Sequence, residues 1–394
     1  MAAWPTRRMD ELCEITSSKR IFAADYVSEG VPFYRGREIT EKYKGNLDVS
    51  TELFITEEKF QEIERKFGAP RQGDLLLTSV GTLGSVYVVK PGDRFYFKDG
   101  NLTWFRHFKE LDSQFLYYWI GSPQGKAELQ KCTIGSSQSA FTIVLLKGME
   151  IGLPPISIQR RIAGILLAYD ELIENSQRRI KILESMARAL YREWFVHFRF
   201  PGHESVPRVT SPRGEIPQGW EVKKMFDLTR VNYGKNLPTK KMADDGAYPV
   251  YGAAKIIGRY SEYTREQRTI ICGCRGSVGE MQITKPQCYV TNNSFTFDPA
   301  HPDNYFWLFH TLKERGLRDV VGGAAQPQIT LEGISSVELV TPPLPLRSRF
   351  QQAVLALFEQ AWALDSQIAN LRRTRDLLLP RLLSGQIDVE AITP

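Results

Sequence analysis

The sequence has few cysteines and histidines, five of each in 394 residues. An odd number of cysteines at irregular spacing is typical of reduced thiols rather than of a disulfide framework. The sequence also lacks an apolar run long enough to span a membrane, and it lacks a charged-then-apolar leader. We therefore expect a cytoplasmic protein that has no membrane partner.

The sequence lacks the common catalytic and metal-binding motifs. Residues 121–126 resemble a phosphate-binding loop, but the loop is one residue short and no Ser or Thr follows it. Cys272-Gly273-Cys274 with Cys288 is not a paired zinc-ligand pattern. The double prolines Pro154-Pro155 and Pro342-Pro343 lack the polar and aromatic residues with which amino-methylating DNA enzymes hold a flipped base. These absences predict a binding protein that is not an enzyme and that binds no cofactor or metal itself.

The sequence does contain an internal repeat. Residues 135–195 match residues 323–383 at one offset, 323 − 135 = 188, which aligns the double prolines. Trp4 matches Trp220 at an offset of 220 − 4 = 216, and residues 81–84 match residues 276–279 at 276 − 81 = 195. The offset falls because the first copy is longer. A duplicated unit implies a pseudo-twofold molecule with two similar faces.

Each copy has the same order of predicted elements. Short β-rich runs precede a helical stretch, a polar loop, a strand and the double proline. A long helix follows, predicted over roughly residues 157–195 in the first copy and 347–383 in the second. The expected fold class is α+β, with two α/β-type domains separated by two long antiparallel helices that form a coiled coil. The predicted boundaries are 1–152 for the first lobe, 153–212 for the central helix and linker, 213–341 for the second lobe and 342–394 for the C-terminal helix.

Apolar residues recur along both helices at alternating steps of four and three, which is typical of a coiled-coil seam. In the second helix the seam is Phe350, Val354, Leu357, Ala361, Leu364, Ile368, Leu371, Leu378 and Leu382, with a polar stop at Arg375. In the first helix it is Ile158, Ile162, Ile165, Tyr169 and Leu172, followed by a phase slip through Ser176. The alternative is an apolar stripe that lies on its own domain.

Basic residues are concentrated in the second lobe. Residues 1–150 hold 20 basic and 20 acidic side chains, whereas Val222 to Arg275 holds 11 basic and 5 acidic ones. This excess suits a polyanion such as nucleic acid, and it equally suits an ordinary solvated face.

Three segments carry a resemblance to a known family. The first helix ends in Leu-Tyr-Arg-Glu-Trp-Phe-Val-His-Phe at 190–198, the second lobe opens with Glu-Ile-Pro-Gln-Gly-Trp at 215–220, and the chain closes with Leu-Leu-Pro-Arg-Leu-Leu-Ser-Gly-Gln-Ile at 378–387. With its two variable lobes and two repeated helices, the chain resembles the specificity subunit of a type I restriction-modification system.

The resemblance implies a function in recognising double-stranded DNA within this restriction system. Each lobe would be a target recognition domain that reads one half of an asymmetric bipartite site. The helices would fix the separation of the half-sites and dock two methyltransferase (modification) subunits, which restriction subunits then join. Catalysis, S-adenosylmethionine, ATP and magnesium would belong to those partners. The alternative from another class is a coiled-coil scaffold or adaptor without DNA readout.

Two loops recur in both lobes, residues 78–82 with 273–277 and residues 135–139 with 323–328. They are candidates for base contacts, because Gln pairs with adenine and Arg with guanine in the major groove. The alternative is an ordinary hairpin and a loop-capping glutamine. A third segment, Tyr34–Arg37 against Tyr251–Lys255, is a weaker candidate, and Lys240, Lys241 and Arg259 are predicted phosphate contacts. The full set of predicted DNA-binding residues is Tyr34, Arg35, Arg37, Thr78, Ser79, Thr82, Ser136, Ser137, Gln138, Lys240, Lys241, Lys255, Arg259, Arg275, Ser277, Gln326 and Gln328.

Three aromatic residues at the end of the first helix are the predicted partner-binding residues: Trp194, Phe195 and Phe198. Large aromatic side chains are favoured anchors of protein interfaces, and these exceed what a two-helix seam covers. The alternative is that they cap the fold of the second lobe.

Overall fold

A computed structural model describes residues 4–46, 49–135, 139–323 and 326–391. The chain divides into two compact units, Met1–Arg178 with Leu364–Pro394, and Arg179–Ala363. Both units mix short strands with helices, which confirms the α+β class. Among the described residues, no helix is both long and apolar enough to cross a membrane.

The first unit contains the first lobe. Its strands are β1 (Thr6–Arg8), β2 (Glu14–Thr16), β3 (Tyr26–Val27), β4 (Val31–Tyr34), β5 (Phe54–Ile55), β6 (Leu75–Thr78), β7 (Val86–Val88), β8 (Tyr96–Phe97), β9 (Leu102–Arg106), β10 (Thr133–Ile134), β11 (Ala140–Phe141) and β12 (Glu150–Gly152). Its helices are α1 (Met9–Leu12), α2 (Gly36–Tyr43), α3 (Glu57–Phe67), α4 (Ser113–Gly121), α5 (Pro123–Lys131) and α6 (Ile143–Lys147).

One four-stranded antiparallel sheet, in the order β2-β9-β6-β7, organises the first lobe. Its strand β6 contains Leu75-Leu76-Leu77, which are fully buried because both faces of the sheet are covered. A second sheet has the order β3-β5-β4-β8, and its β4–β8 pair is parallel. Strands β1 and β12 pair with each other, as do β10 and β11.

The second unit contains the second lobe. After helix α7 (Ile156–Tyr191) come strands β13 (Arg208–Ser211), β14 (Gly214–Pro217), β15 (Glu221–Lys224), β16 (Thr229–Tyr233), β17 (Tyr248–Gly252), β18 (Lys255–Tyr260), β19 (Ile270–Gly273), β20 (Met281–Ile283), β21 (Tyr289–Val290), β22 (Ser294–Pro299), β23 (Val321–Gly322), β24 (Gln328–Ile329) and β25 (Glu338–Thr341). The helices are α8 (Met225–Leu228), α9 (Tyr305–Arg315), α10 (Leu331–Ser335) and α11 (Leu344–Leu383).

The second lobe repeats the sheets of the first. The order β16-β22-β19-β20 corresponds to β2-β9-β6-β7, and the parallel pair β17–β21 corresponds to β4–β8. Strands β15 and β25 pair as β1 and β12 do, and β23 and β24 pair as β10 and β11 do. The internal repeat of the sequence is therefore a repeat of topology. Because a sheet tolerates any side chains that keep its faces buried, topology persists where sequence has diverged.

The predicted long helices are confirmed. Helix α7 has 36 residues and runs directly into a π-helical turn, Arg192–Val196, and α11 has 40 residues with Pro380 in its last turn. Each helix contributes residues to both units, so that each unit combines one lobe with the beginning of one long helix and the end of the other. Two helices that run antiparallel place the beginning of one helix beside the end of the other, as is found within each unit.

Most of the predicted seam is buried. Ile158 and Ile162 of α7 are buried, as are Phe350, Val354, Ala361, Leu364, Ile368 and Leu382 of α11. The seam prediction was wrong at Leu172, which is 52% exposed, because its neighbour Ile173 is buried instead. The phase slip thus begins before Ser176. The polar stop Arg375 forms an ion pair with Asp170, whose carboxylate also accepts a hydrogen bond of 2.7 Å from Tyr118.

A buried polar residue joins each lobe to a long helix. In the first unit, the Gln159 side chain accepts from the Asp112 backbone N–H at 2.8 Å and donates to the carbonyls of Glu110 and Pro154 at 2.9 and 2.8 Å. The equivalent position in the second unit is 159 + 188 = 347, where Arg347 donates to the Asn304 side chain. Because a buried group that loses its hydrogen bond is costly, these contacts fix where each lobe meets its helix.

His310 makes the second unit sensitive to acid. Its ring lies in α9, 5% exposed, with its centroid 5.5 Å from that of Tyr191 and near Phe350 and Phe358. Burial, reinforced by the charges of Lys313 and Arg188, lowers its pKa to about 3. An unfolded histidine has a pKa of about 6.5. As pH falls below that value, only the unfolded chain takes up the proton, so the free energy of unfolding decreases by up to about 1.4 kcal/mol per pH unit.

We predict that His310→Phe removes this loss while it keeps the aromatic packing. The free energy of unfolding of the variant, measured by denaturant titration at pH 7 and pH 5, should exceed that of wild type more at pH 5. His301→Asn, at an exposed histidine of the same lobe, is the control and should follow wild type at both pH values. If the free energies of unfolding of wild type and His310→Phe depend equally on pH, His310 is not the source of the acid sensitivity.

Candidate nucleic-acid interface

Three segments meet in each lobe and form what we call the loop cluster. They are the turn between two core strands (residues 78–84 and 273–279), the short hairpin (β10–β11 and β23–β24) and the third segment (residues 34–37 and 251–255). In each lobe these segments come from different parts of the sequence. The sheets described above bring them together.

The turn is built by the same backbone hydrogen bonds in both lobes. In the first lobe, the Thr78 N–H donates to the Ser85 carbonyl at 2.9 Å, and the Gly84 N–H donates to the Thr78 carbonyl at 3.0 Å. In the second lobe, the Gly273 N–H donates to the Glu280 carbonyl at 2.9 Å, and the Gly279 N–H donates to the Gly273 carbonyl at 2.9 Å. The offset of 195 read from the sequence is therefore an equivalence of backbone geometry.

The hairpin is joined to the turn in the same way in both lobes. The Phe141 N–H donates to the Ser79 carbonyl, and the Ile329 N–H donates to the Cys274 carbonyl, each at 3.0 Å. Isolated bridges Val80–Ala140 and Arg275–Gln328 extend these contacts. Two loops that the sequence analysis treated as separate candidates thus form one surface.

The third segment completes the cluster. A Cβ built on Gly36 would lie 3.8 Å from Thr78 Cγ2, and one built on Gly276 would lie 3.4 Å from Ala253 Cβ. The third segment therefore packs on the turn in both lobes. The weakest of the three sequence candidates belongs to the same surface as the other two.

The first lobe uses two of its predicted residues to build the turn from inside. Thr78 is fully buried, and its hydroxyl donates to the Thr82 carbonyl at 2.5 Å and accepts from the Ser85 N–H at 2.9 Å. Ser79 is also buried, with its hydroxyl 2.7 Å from that of Thr103. Neither side chain reaches the surface, so of the predicted turn residues only Thr82 is exposed there. In the second lobe the same space is closed by Ser277, whose carbonyl oxygen lies 2.1 Å from where a Cβ on Gly273 would stand.

A buried carboxylate orients the two arginines of the third segment. Glu38 is fully buried, and its carboxylate accepts hydrogen bonds from the Arg35 backbone N–H at 2.8 Å and from the guanidinium groups of Arg35 and Arg37 at 3.3 and 3.0 Å. Burial alone would raise the pKa of Glu38, but these hydrogen bonds hold it below its ordinary value. Arg37 is exposed, so a fixed guanidinium faces solvent beside the turn. Tyr34, half-buried, stacks on Phe95 at 4.5 Å between ring centroids.

The hairpin of the first lobe carries three predicted residues, Ser136, Ser137 and Gln138, that lie outside the described part of the chain. The residues that flank them, Gly135 and Ser139, are exposed. A role in DNA contact stays a prediction for these three residues.

In the second lobe, the predicted base-reading residues contact each other. The Nε of Arg275 donates to Oε1 of Gln328 at 3.3 Å, which holds the exposed guanidinium beside the hairpin. Gln326 is exposed, and Ser277 is half-buried in the turn. A paired arginine and glutamine at a loop surface offer several hydrogen-bond donors in fixed directions, as readout of a base edge requires.

The turn of hairpin β17–β18 is strained. Ala253 and Ala254 have φ values of +49° and +62°, where Asn and Gly are usual in a two-residue hairpin. Each such residue costs on the order of 1–3 kcal/mol, and strain of this kind clusters at binding sites. Ala254 is held by its N–H, which donates to the Ser294 hydroxyl at 3.2 Å, and by its burial beside Tyr251.

The predicted phosphate contacts of the second lobe lie around this hairpin. Lys240 and Lys241 form a short exposed helical turn, and Lys255 is exposed at the start of β18. The Arg259 guanidinium is exposed and donates to the carbonyls of Gly246 and Ala247, which restrains the loop that follows Asp244 and Asp245. Long basic side chains on an exposed surface suit phosphate contacts, which position a protein without specifying sequence.

The predicted partner-binding aromatics lie within the second unit's core or against it. Phe195 is buried, with its ring centroid 5.0 Å from Phe350 and 6.0 Å from Trp220. Trp194 and Phe198 are partly buried and pack against Phe350 and Trp220. This placement favours the alternative that they cap the fold, and their role in partner binding stays a prediction.

Three residues at this surface were not predicted from the sequence: Glu38, which orients the arginines, and the exposed Ile256 and Ile257 of hairpin β17–β18. Glu38 follows Arg35 at three residues, the spacing of a helical ion pair, and this signal was available. The isoleucines gave no signal, because adjacent β-branched residues are typical of a buried strand.

Comparison with known proteins agrees with this architecture. The model of the type I restriction modification DNA specificity domain matches residues 1–185 and 217–370. The type I restriction enzyme MjaIX specificity subunit of Methanocaldococcus jannaschii is 25% identical, over 99% of this chain and 94% of that protein. The type I restriction enzyme HindI specificity subunit of Haemophilus influenzae is 22% identical, over 63% of this chain and 71% of that protein.

A solved structure shares the fold. The crystal structure of the type I restriction-modification system S subunit from M. genitalium superposes with a TM-score of 0.59 at 19% sequence identity, and covers 96% of each chain. The duplicated loop cluster and the duplicated long helices define a two-lobed binding protein. Because the family model covers most of the sequence in two matches, the chain belongs to the family of the type I restriction modification DNA specificity domain.

We predict that Arg275 and Gln328 act as one unit. Arg275→Ala should weaken binding of the target by roughly 1–3 kcal/mol and relax preference at one position of one half-site. Gln328→Ala should reproduce part of this effect, because the Arg275 guanidinium would lose its hydrogen bond to the Gln328 side chain. The double variant should be impaired by less than the sum of the two single effects, since residues that touch each other are not additive.

The measurement is the dissociation constant for target and scrambled duplexes at fixed salt concentration. Arg208→Ala on strand β13, in the separate β13–β14 sheet, is the control and should bind like wild type. If Arg275→Ala keeps both its affinity and its sequence preference, the turn is not a base reader.

Proposed function

We propose that this chain is the DNA sequence-recognition subunit of a type I restriction-modification complex, and that each lobe reads one half of an asymmetric bipartite site. The observation that carries the proposal is the loop cluster, which both lobes assemble with the same backbone hydrogen bonds. Its side chains differ between the lobes, with Arg35 and Arg37 in one and Arg275 and Gln328 in the other. Two clusters of one design with different side chains suit two half-sites of different sequence.

The long helices support a role as spacer and docking platform. With 36 and 40 residues, they are far longer than the usual globular helix. Leu172, Ile182, Met186 and Leu377 are exposed apolar side chains along them. We propose that the helices set the gap between the half-sites and dock two methyltransferase subunits, which restriction subunits then join.

The proposal assigns the chemistry to those partners. The subunit itself would recognise DNA without catalysis or a cofactor of its own. S-adenosylmethionine, ATP and magnesium would be bound and used by the methyltransferase and restriction subunits in the cytoplasm. Two relatives bear the name of specificity subunits of type I restriction enzymes, which supports this division.

The proposal predicts how phosphate-binding and base-reading residues differ. Lys240→Ala and Lys241→Ala should weaken binding to all duplex sequences alike, in contrast to substitution of Arg275. Each variant should also reduce the slope of log affinity against log salt by about one for each phosphate that the lysine no longer neutralises. The measurement is a salt titration of duplex binding by the subunit assembled with its methyltransferase.

The matched control is Lys223→Ala, because the Lys223 ammonium lies 2.8 Å from the Glu221 carboxylate and its charge is already compensated. This variant should keep the salt slope of wild type. If the assembled complex shows no salt-dependent binding of duplex DNA at all, the proposed function is wrong and a scaffold or adaptor becomes the better interpretation.

A further inference from the structure

Two adjacent isoleucines on strand β18 are exposed. Ile256 and Ile257 are each 50% exposed, whereas Ile270 and Ile271 of the core strand β19 are fully buried. Single exposed apolar residues are common on protein surfaces. Two in succession are different, because successive side chains of a regular strand point to opposite faces of the sheet.

A bulge interrupts the pairing of strand β18 at these two residues. Tyr251 of β17 pairs with Ile256, whereas the preceding residue Val250 pairs with Gly258, so that Ile257 is the extra residue. A bulge bends its strand and redirects side chains, and bulges are frequent beside functional sites. The bulge therefore places both isoleucines at an irregular, exposed part of the strand.

The apolar pair borders the loop cluster. Ile257 covers Gly252, since a Cβ on that glycine would come within 2.6 Å of the isoleucine Cδ1. The next residue, Ala253, packs on Gly276, which follows the base-reading candidate Arg275. Exposed Lys255 precedes the pair and exposed Arg259 follows it on the same strand. An apolar pair between cations beside an arginine matches the edge of a DNA groove better than an apolar protein surface.

We infer that Ile256 and Ile257 read the 5-methyl groups of thymine in the major groove. The inference rests on the proposed function of the lobes. The methyl group is the apolar feature of a major-groove base edge, and apolar side chains distinguish thymine by contact with it. Lys255 and Arg259 would hold the flanking phosphates, so that the isoleucines face the bases.

The described residues of the first lobe contain no equivalent of the bulged strand at this place. The chain there passes from Arg35 directly into helix α2, which contains Arg37, where the second lobe has the bulged strand. Recognition of thymine methyl groups by this strand should therefore be confined to one half-site.

The test replaces each thymine of the target, one at a time, by 2′-deoxyuridine, which removes only the methyl group. The target is first identified by methylome sequencing of a host that expresses the subunit with its partners. The assembled complex should bind about fourfold more weakly when a methyl group that the isoleucines touch is removed, the equivalent of about 0.8 kcal/mol. The weakening should occur at one or two thymines of one half-site.

The variant Ile256→Ala with Ile257→Ala should bind the thymine and deoxyuridine duplexes equally. Ile256→Val keeps branched methyl groups and should keep most of the sensitivity. Val209→Ala, at an exposed β-branched residue of strand β13, is the matched control and should respond like wild type.

Wild type that is indifferent to every replacement would overturn the inference, and so would a double alanine variant that is as sensitive as wild type. If the double variant does not fold, the binding of thymine and deoxyuridine duplexes by the wild-type complex tests the inference by itself. Failure of the proposed function looks different, because the complex would then bind the methylated motif no better than a scrambled duplex.

Discussion

The loop cluster of each lobe depends on a few backbone hydrogen bonds between the turn and the short hairpin. The Ser79 carbonyl receives the Phe141 N–H, and the Cys274 carbonyl receives the Ile329 N–H, at the same distance in both lobes. Because these bonds use only backbone groups, they do not constrain which side chains the loops carry. A scaffold of this kind lets loop residues diverge while the loops stay together, which is what two lobes with different specificities require.

The repeated order of elements, the long helices and the two recurring loops could be predicted from the sequence, because duplication leaves constant offsets and helices have a regular apolar period. The burial of Thr78 and Ser79 could not be predicted, since it depends on the contact with Thr103, which strand β9 supplies, and on how the turn itself closes at Ser85. Nothing in the sequence indicated that Phe195 would find Trp220 and Phe350 as neighbours. Leu172 and Ile173 are equally apolar, so the phase of α7 between them was decided by tertiary contacts.

The two units make equivalent structural contacts with different side chains. Gln159 in one and Arg347 in the other fasten a lobe to a long helix through buried polar contacts. Thr78 fills the inside of one turn, whereas Gly273 leaves that space to a backbone carbonyl. Helix α2 follows the third segment in the first lobe, and a bulged strand follows it in the second. The common backbone explains why both lobes would bind the same kind of ligand, and the differences explain why each would prefer its own sequence.

In the proposed function, each lobe reads its own half-site independently of the other lobe. The most direct measurement is methylome sequencing of a host in which residues 213–341 have been exchanged for the second lobe of another subunit of the family. Exchange of the whole lobe carries its turn, hairpin and third segment together and leaves α7 and α11 intact. We expect one half of the methylated motif to change, while the other half and the gap between the halves stay the same. A change in both halves would contradict independent reading.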